Sequence, residues 1–258
     1  MLNRYVKYST EGHLGKITLT RPKSNALDLD TLQELIACFR ESANNLDICV
    51  ILNAEGRNFT VGADLKYIYA TLVENQNFAE MVAFSECFQE LTRIMFAHSG
   101  IILVALHGWV VGGGFEISLA CDIRIASTDA QVMLPELSIG TMFSNASTKL
   151  LAQTIGMGRA KQLMFLGEPV DAQTMLHYGL VSQICGREAL DETLLQIATS
   201  IIAKNDHSAS MIAKRLINEN YDLDVESVLL KEMEALTVCA QNDSFLQKVE
   251  EFATQKRG

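Results

Sequence analysis

The stretch that most constrains this chain is residues 101–116, IILVALHGWVVGGGFE. Six consecutive apolar residues, 101–106, have the pattern of a parallel strand buried on both faces. The run leads to Gly112-Gly113-Gly114 and then to a helix-forming segment over 115–121. Glycine accepts positive φ at little cost and lets a ligand lie against the backbone. The free N–H groups of a helix start favour negative charge beside them. A buried strand, a bare turn and a helix N-terminus supply half of an oxyanion hole. Glu116 falls in the first turn of that helix.

Two further segments repeat the theme. The apolar run 48–52 (ICVIL) is followed by residues 58–66, NFTVGADLK. There Asp64 suits the N-cap of a helix, and the backbone N–H of Ala63 offers a second donor. Residues 134–140, LPELSIG, place Glu136 twenty residues after Glu116, beyond another strand-like run. Two carboxylates from separate elements can converge on one water. Taken singly, each segment also fits a structural role: glycines for tight packing, Asp64 as a cap, Pro135 and Glu136 as the opening of a short helix.

Periodicity places these pieces in an α/β frame. Residues 6–9 and 16–19 read as short strands around a Glu11-Gly12 turn. Leu32, Leu35, Ile36 and Phe39 predict an amphipathic helix over 30–44. Met81, Phe84, Phe88, Leu91 and Met95 predict a long helix over 78–97. Residues 122–126 and 131–134 are strand-like again. Strand–helix alternation argues for a layered core with parallel strands. After about residue 144 the pattern turns helical, with breaks near Gly156, Gly167 and Asn205. The expected division is an α/β core over 1–195 and a helical region over 196–258.

What the sequence lacks narrows the chemistry. There is no GxxxxGK[ST], no GxGxxG after a strand, no HExxH and no GxSxG. The five histidines show no ligand spacing, so no metal site is expected. Twenty-one Lys and Arg against 31 Asp and Glu give a net charge of −10, which argues against nucleic-acid binding. No apolar run approaches the ~18 residues of a membrane helix. Six scattered cysteines without a CxxC pair, and no leader pattern at the start, read as a reduced, cytoplasmic protein. Acid–base work by carboxylates with backbone electrophiles remains.

In order along the chain, LTRPKSNALD (19–28), NFTVGADLK, HGWVVGGGFEISLACDIRIAS (107–127), LPELSIG, LGEPVDAQTMLHYGLVSQI (166–184) and EEFATQKR (250–257) resemble the crotonase, or enoyl-CoA hydratase/isomerase, superfamily. The resemblance spans nearly the whole chain. It implies a spiral core of repeated ββα units with two sheets, and C-terminal helices that build trimers, often paired into hexamers. It implies an acyl-CoA thioester substrate and no cofactor beyond the coenzyme A that the substrate carries. Matched by motif, Ala63 and Gly113 hold the thioester oxygen, while Glu116 and Glu136 share the water that is added. Lys23, Ala26, Asp64, Leu65 and Lys66 fall at coenzyme A-binding positions, and Phe252 with Lys256-Arg257 resembles a segment reaching a neighbour's coenzyme A. Two places depart from the pattern. Residues 141–148, TMFSNAST, replace a glycine-rich segment and are expected to reshape the acyl pocket. His107 stands where Asn is frequent, and is expected to be a core residue hydrogen-bonded to backbone.

Overall fold

A computed structural model describes residues 4–255. The first apolar runs pair as an antiparallel hairpin, β1 (Val6–Glu11) with β2 (Leu14–Leu19), closed at Gly12. Next come β3 (Cys49–Ala54), β4 (Ile101–Leu106), β5 (Trp109–Val111), β6 (Ile123–Ser127), β7 (Gln131–Met133), β8 (Val170–Asp171) and β9 (Gln183–Cys185). Six strands form one sheet in the order β1-β2-β3-β4-β6-β9, parallel from β2 onward. Every residue of β3 is buried, as a strand covered on both faces requires. A second sheet runs β5-β7-β8, and a bridge from Thr60 to Val110 extends it. The chain therefore places a strand in the first sheet, a strand in the second, and then a helix, and repeats.

The helices start where local chemistry stops a strand or loop. α1 (Leu29–Asn44) is capped by Asp28, whose carboxylate accepts from the Thr31 N–H at 2.9 Å. It buries Leu32, Leu35, Ile36 and Phe39. α2 (Leu65–Tyr69) is one short turn capped by Asp64, and a π-helical turn over Ala70–Glu74 follows. α3 (Phe78–Ala97) buries Phe84, Phe88, Leu91 and Met95 and packs on α1. Each such side chain contributes roughly 1.5–3 kcal/mol. α4 is Gly113–Leu119, two residues ahead of the expected start, because Gly113 and Gly114 already take helical geometry.

α5 (Ser147–Ile155), α6 (Met157–Leu166), α7 (Ala172–Tyr178) and α8 (Leu190–Lys204) follow, broken at Gly156 and Gly167 as expected. The boundary between two compact units falls between Ser200 and Ile201, inside α8. The second unit contains α9 (His207–Asn220), α10 (Val225–Ala240) and α11 (Asp243–Gln255). Asp206 and Asp224 cap α9 and α10, and Lys231 pairs with Glu219 at 2.8 Å. Among the described residues no helix is long and apolar enough to cross a membrane.

Candidate active site

The three glycines after β5 are each required by a different neighbour. Gly112 has φ 52 and ψ −126, a region that side chains disfavour. A Cβ there would lie 2.5 Å from Oε1 of Glu136, so that carboxyl group rests against a bare Cα. A Cβ on Gly113 would lie 2.9 Å from the Phe88 ring, and one on Gly114 would collide with Thr60. Close packing and ligand access are thus both served by the same turn.

The turn leaves backbone donors open, that of Gly113 among them. Gly113 begins α4, so its N–H has no acceptor within the helix. A second donor comes from the neighbouring loop. Leu27 donates to the Gly62 carbonyl at 2.8 Å, and Asp64 donates to the Leu27 carbonyl at 2.7 Å. That bridge uses the residues on either side of Ala63 and leaves its own N–H unspent. Neither N–H meets an acceptor among the described residues. The loops lie close together: a Cβ on Gly62 would sit 3.7 Å from the Gly113 nitrogen. Ala63 and Gly113 both line a cavity of about 360 Å³.

Glu116 and Glu136 line the same cavity, and they are held differently. Glu116 is 1% exposed, and its Oε2 accepts from the backbone N–H groups of Ser144 at 3.1 Å and Asn145 at 2.8 Å. Burial raises its pKa, and these donors pull it back towards the ionised form. Glu136 is 8% exposed and its Oε2 has no partner. Burial, with the Glu116 charge adding to it, pushes its pKa up to about 7. Burial pushes both carboxyl groups up, but only Glu116 has backbone donors that favour its ionised form. The rest of the wall is largely apolar: Ile68, Met81, Phe84, Phe88 and Met133.

The positions expected at coenzyme A divide. Leu65 lines the cavity and is exposed. Asp64 and Ala26 are engaged by the protein itself. Arg21 donates to Asp64 at 2.8 Å, to Asp28 at 2.7 Å and to the Ala26 carbonyl at 2.7 Å. Asp64 also accepts from the Lys66 N–H as the cap of α2. Lys23 and Lys66 are exposed, and neither lines the cavity. Lys23, Ser24 and Asn25 all have positive φ, so this loop has a fixed, unusual path. Phe252 is exposed on α11, while Lys256 and Arg257 lie outside the described residues.

His107 departs from expectation in its bonding. It is a core residue, 1% exposed, but neither ring nitrogen reaches a partner in hydrogen-bond geometry. Its ring meets Phe59 edge-on and lines a separate small cavity with Asn53 and Arg187. Burial and the Arg187 charge push its pKa down to about 4. Sequence reasoning also missed Arg21, which ties together the caps of α1 and α2, and the Ser144 and Asn145 donors to Glu116. The only signal for the latter pair was the unusual composition of 141–148, where Thr141, Met142 and Ser144 do line the cavity.

The sequence and the fold are similar to those of known proteins. The enoyl-CoA hydratase/isomerase family matches residues 9–257. The short-chain-enoyl-CoA hydratase of Clostridium acetobutylicum is 33% identical over 89% of this chain and 87% of its own length. The crotonyl-CoA hydratase of Syntrophomonas wolfei is 28% identical over the same shares of the two chains. The crystal structure of an enoyl-CoA hydratase from Bacillus anthracis superposes with a TM-score of 0.90 at 29% identity, covering 98% of this chain and 97% of that one. The chain has the crotonase fold and belongs to the enoyl-CoA hydratase/isomerase family.

Proposed function

We propose that this protein is an enoyl-CoA hydratase, a hydro-lyase that adds water reversibly and syn across the double bond of a 2-enoyl-CoA thioester. The observation that carries this reading is the pairing of two unlike glutamates with two unspent N–H groups on one cavity. The N–H groups of Ala63 and Gly113 receive the thioester oxygen and stabilise the enolate as charge develops. Each such donor lowers the barrier by about 3–4 kcal/mol. Ionised Glu116 takes a proton from water as the oxygen bonds to the β-carbon. The double-bond electrons move to the thioester oxygen. As they return, protonated Glu136 gives its proton to the α-carbon. One water is consumed, the two carboxyl groups exchange protonation states, and a proton returned between them restores the start. Dehydration runs the same steps backwards.

Coenzyme A enters as part of the substrate. Leu65 lines its approach, Lys66 and Lys23 supply cations for its phosphates, and Ala26 and Asp64 hold the loop and the α2 turn that shape its path. The α9–α11 helices suit assembly into trimers or hexamers. The test is loss of the enoyl thioester absorbance across a panel of acyl-CoAs differing in chain length. Hydration of at least one member is expected. Failure on all of them, with double-bond migration in its place, would move the assignment to an isomerase.

A further inference from the structure

A water that attacks the β-carbon has two O–H groups, and each needs an acceptor in the cavity. Ionised Glu116 takes the first. Glu136 must carry a proton at that moment and aim it at the α-carbon, so it is a weaker acceptor for the second than a carboxylate would be. An O–H left without an acceptor in a buried site is costly and leaves the water free to turn. Ser144 brings a further hydroxyl to the same cavity. It lines the cavity with both glutamates. Its backbone nitrogen is fixed 3.1 Å from Glu116 Oε2, so its hydroxyl lies three bonds from an atom that is bonded to that carboxylate. Its neighbour Asn145 is 1% exposed and is anchored on the same oxygen at 2.8 Å. The Ser144 hydroxyl donates to Asn145 Oδ1 at 3.4 Å, a long bond, and accepts from no other described residue. Ala146, at φ 56, turns the chain immediately afterwards into α5 and fixes this geometry.

We infer that the Ser144 hydroxyl accepts the second O–H of the attacking water, and equally the β-hydroxyl proton of the product. This rests on the hydratase reading and adds a third polar group to the two glutamates. It also predicts preference among ligands: the site recognises an oxygen on the β-carbon and gains nothing from a saturated chain. The test compares 3-hydroxybutyryl-CoA with butyryl-CoA by calorimetry in a Glu136→Gln background, which slows turnover on the order of 10²–10⁴-fold. Adding Ser144→Ala should weaken the hydroxy ligand about three- to tenfold, the usual range for one hydrogen bond, and leave the saturated ligand unchanged. Ser144→Thr should retain the preference. In the otherwise unmodified enzyme, Ser144→Ala should lower kcat for hydration by a similar factor with KM and Tm held. Equal weakening of both ligands would mean a merely structural role and would overturn the inference, as would no change at all. If the parent hydrates its substrate in either case, the hydratase reading survives. If the parent hydrates no enoyl-CoA, that reading fails and this inference with it.

Discussion

Glu116 and Glu136 are chemically identical and almost equally buried, so their difference comes from their neighbours. Two backbone donors compensate the charge on Glu116, while none reaches Glu136 Oε2. Replacing either with Gln, which is nearly isosteric, should cost on the order of 10²–10⁴-fold in hydration. The double variant should be far less than multiplicatively worse, because both groups serve one water. Steady-state rates for the three variants check this. Glu136 also sets a pH dependence with opposite signs in the two directions. Hydration needs its proton and should decline as pH rises through about 7. Dehydration needs its ionised form and should rise over the same range. Stability follows the same titration. Between its ordinary pKa of 4.5 and about 7, the folded protein keeps a proton that the unfolded chain has lost. Its stabilising contribution is therefore complete below the lower value and is lost as pH rises through the upper one. Glu136→Gln should gain in Tm relative to the parent from about pH 4 to about pH 8. A constant Tm difference would count against the raised pKa. The segments that bring Glu116, Glu136, Ala63 and Gly113 to one cavity stood out in sequence because each comes after a strand-like run and matches a motif of the family. The Ser144 and Asn145 donors did not, since they come from 28 and 29 residues beyond Glu116 and act through backbone atoms common to every residue.

At the level of elements, the site depends on how helix starts are fixed. Arg21 joins the Asp28 cap of α1 to the Asp64 cap of α2, both side chains being less than one-fifth exposed. Arg21→Met should leave two carboxylates unpaired and cost roughly 2–4 kcal/mol, somewhat less than a fully buried pair. Because Ala63 precedes the α2 cap, kcat should fall along with stability. A variant whose denaturant midpoint falls with kcat unchanged would show that α2 is placed without Arg21. The α4 start can be probed in the same way. Gly113→Ala should collide with Phe88, and Phe88→Leu should recover part of the lost stability and activity, as coupled neighbours do. The long elements were readable because period and length reinforce each other: α1, α3, β3 and β4 lie within a residue or two of expectation. The short pieces were not. The three-residue strand β5, the two-residue β8 and the π turn after α2 are too brief to show a period, and tertiary pairing alone defines them.

The whole molecule presents a different kind of evidence, in the apolar surface it leaves uncovered. On α10, Val225, Leu229, Leu230, Met233 and Leu236 are each more than half exposed. Their spacing of four, one, three and three residues confines them to one side of the helix. Scattered apolar residues on a surface are ordinary, but a continuous stripe on one helix marks a contact with another protein surface. The net charge of −10 does not conceal the stripe, because the five positions are all uncharged. We expect trimers or hexamers, in which closed symmetry lets each copy bury the same patch. Light scattering at micromolar concentration should return three or six times the chain mass of 28.5 kDa. Placing a charge in the stripe, as in Leu230→Glu or Met233→Glu, should lower that mass, because burying an unpaired carboxylate costs several kcal/mol at each interface. Circular dichroism on the same samples separates dissociation from unfolding: the helical signal should persist as the mass falls. A parent protein that is monomeric under these conditions would refute the assembly and leave the α10 stripe without an occupant.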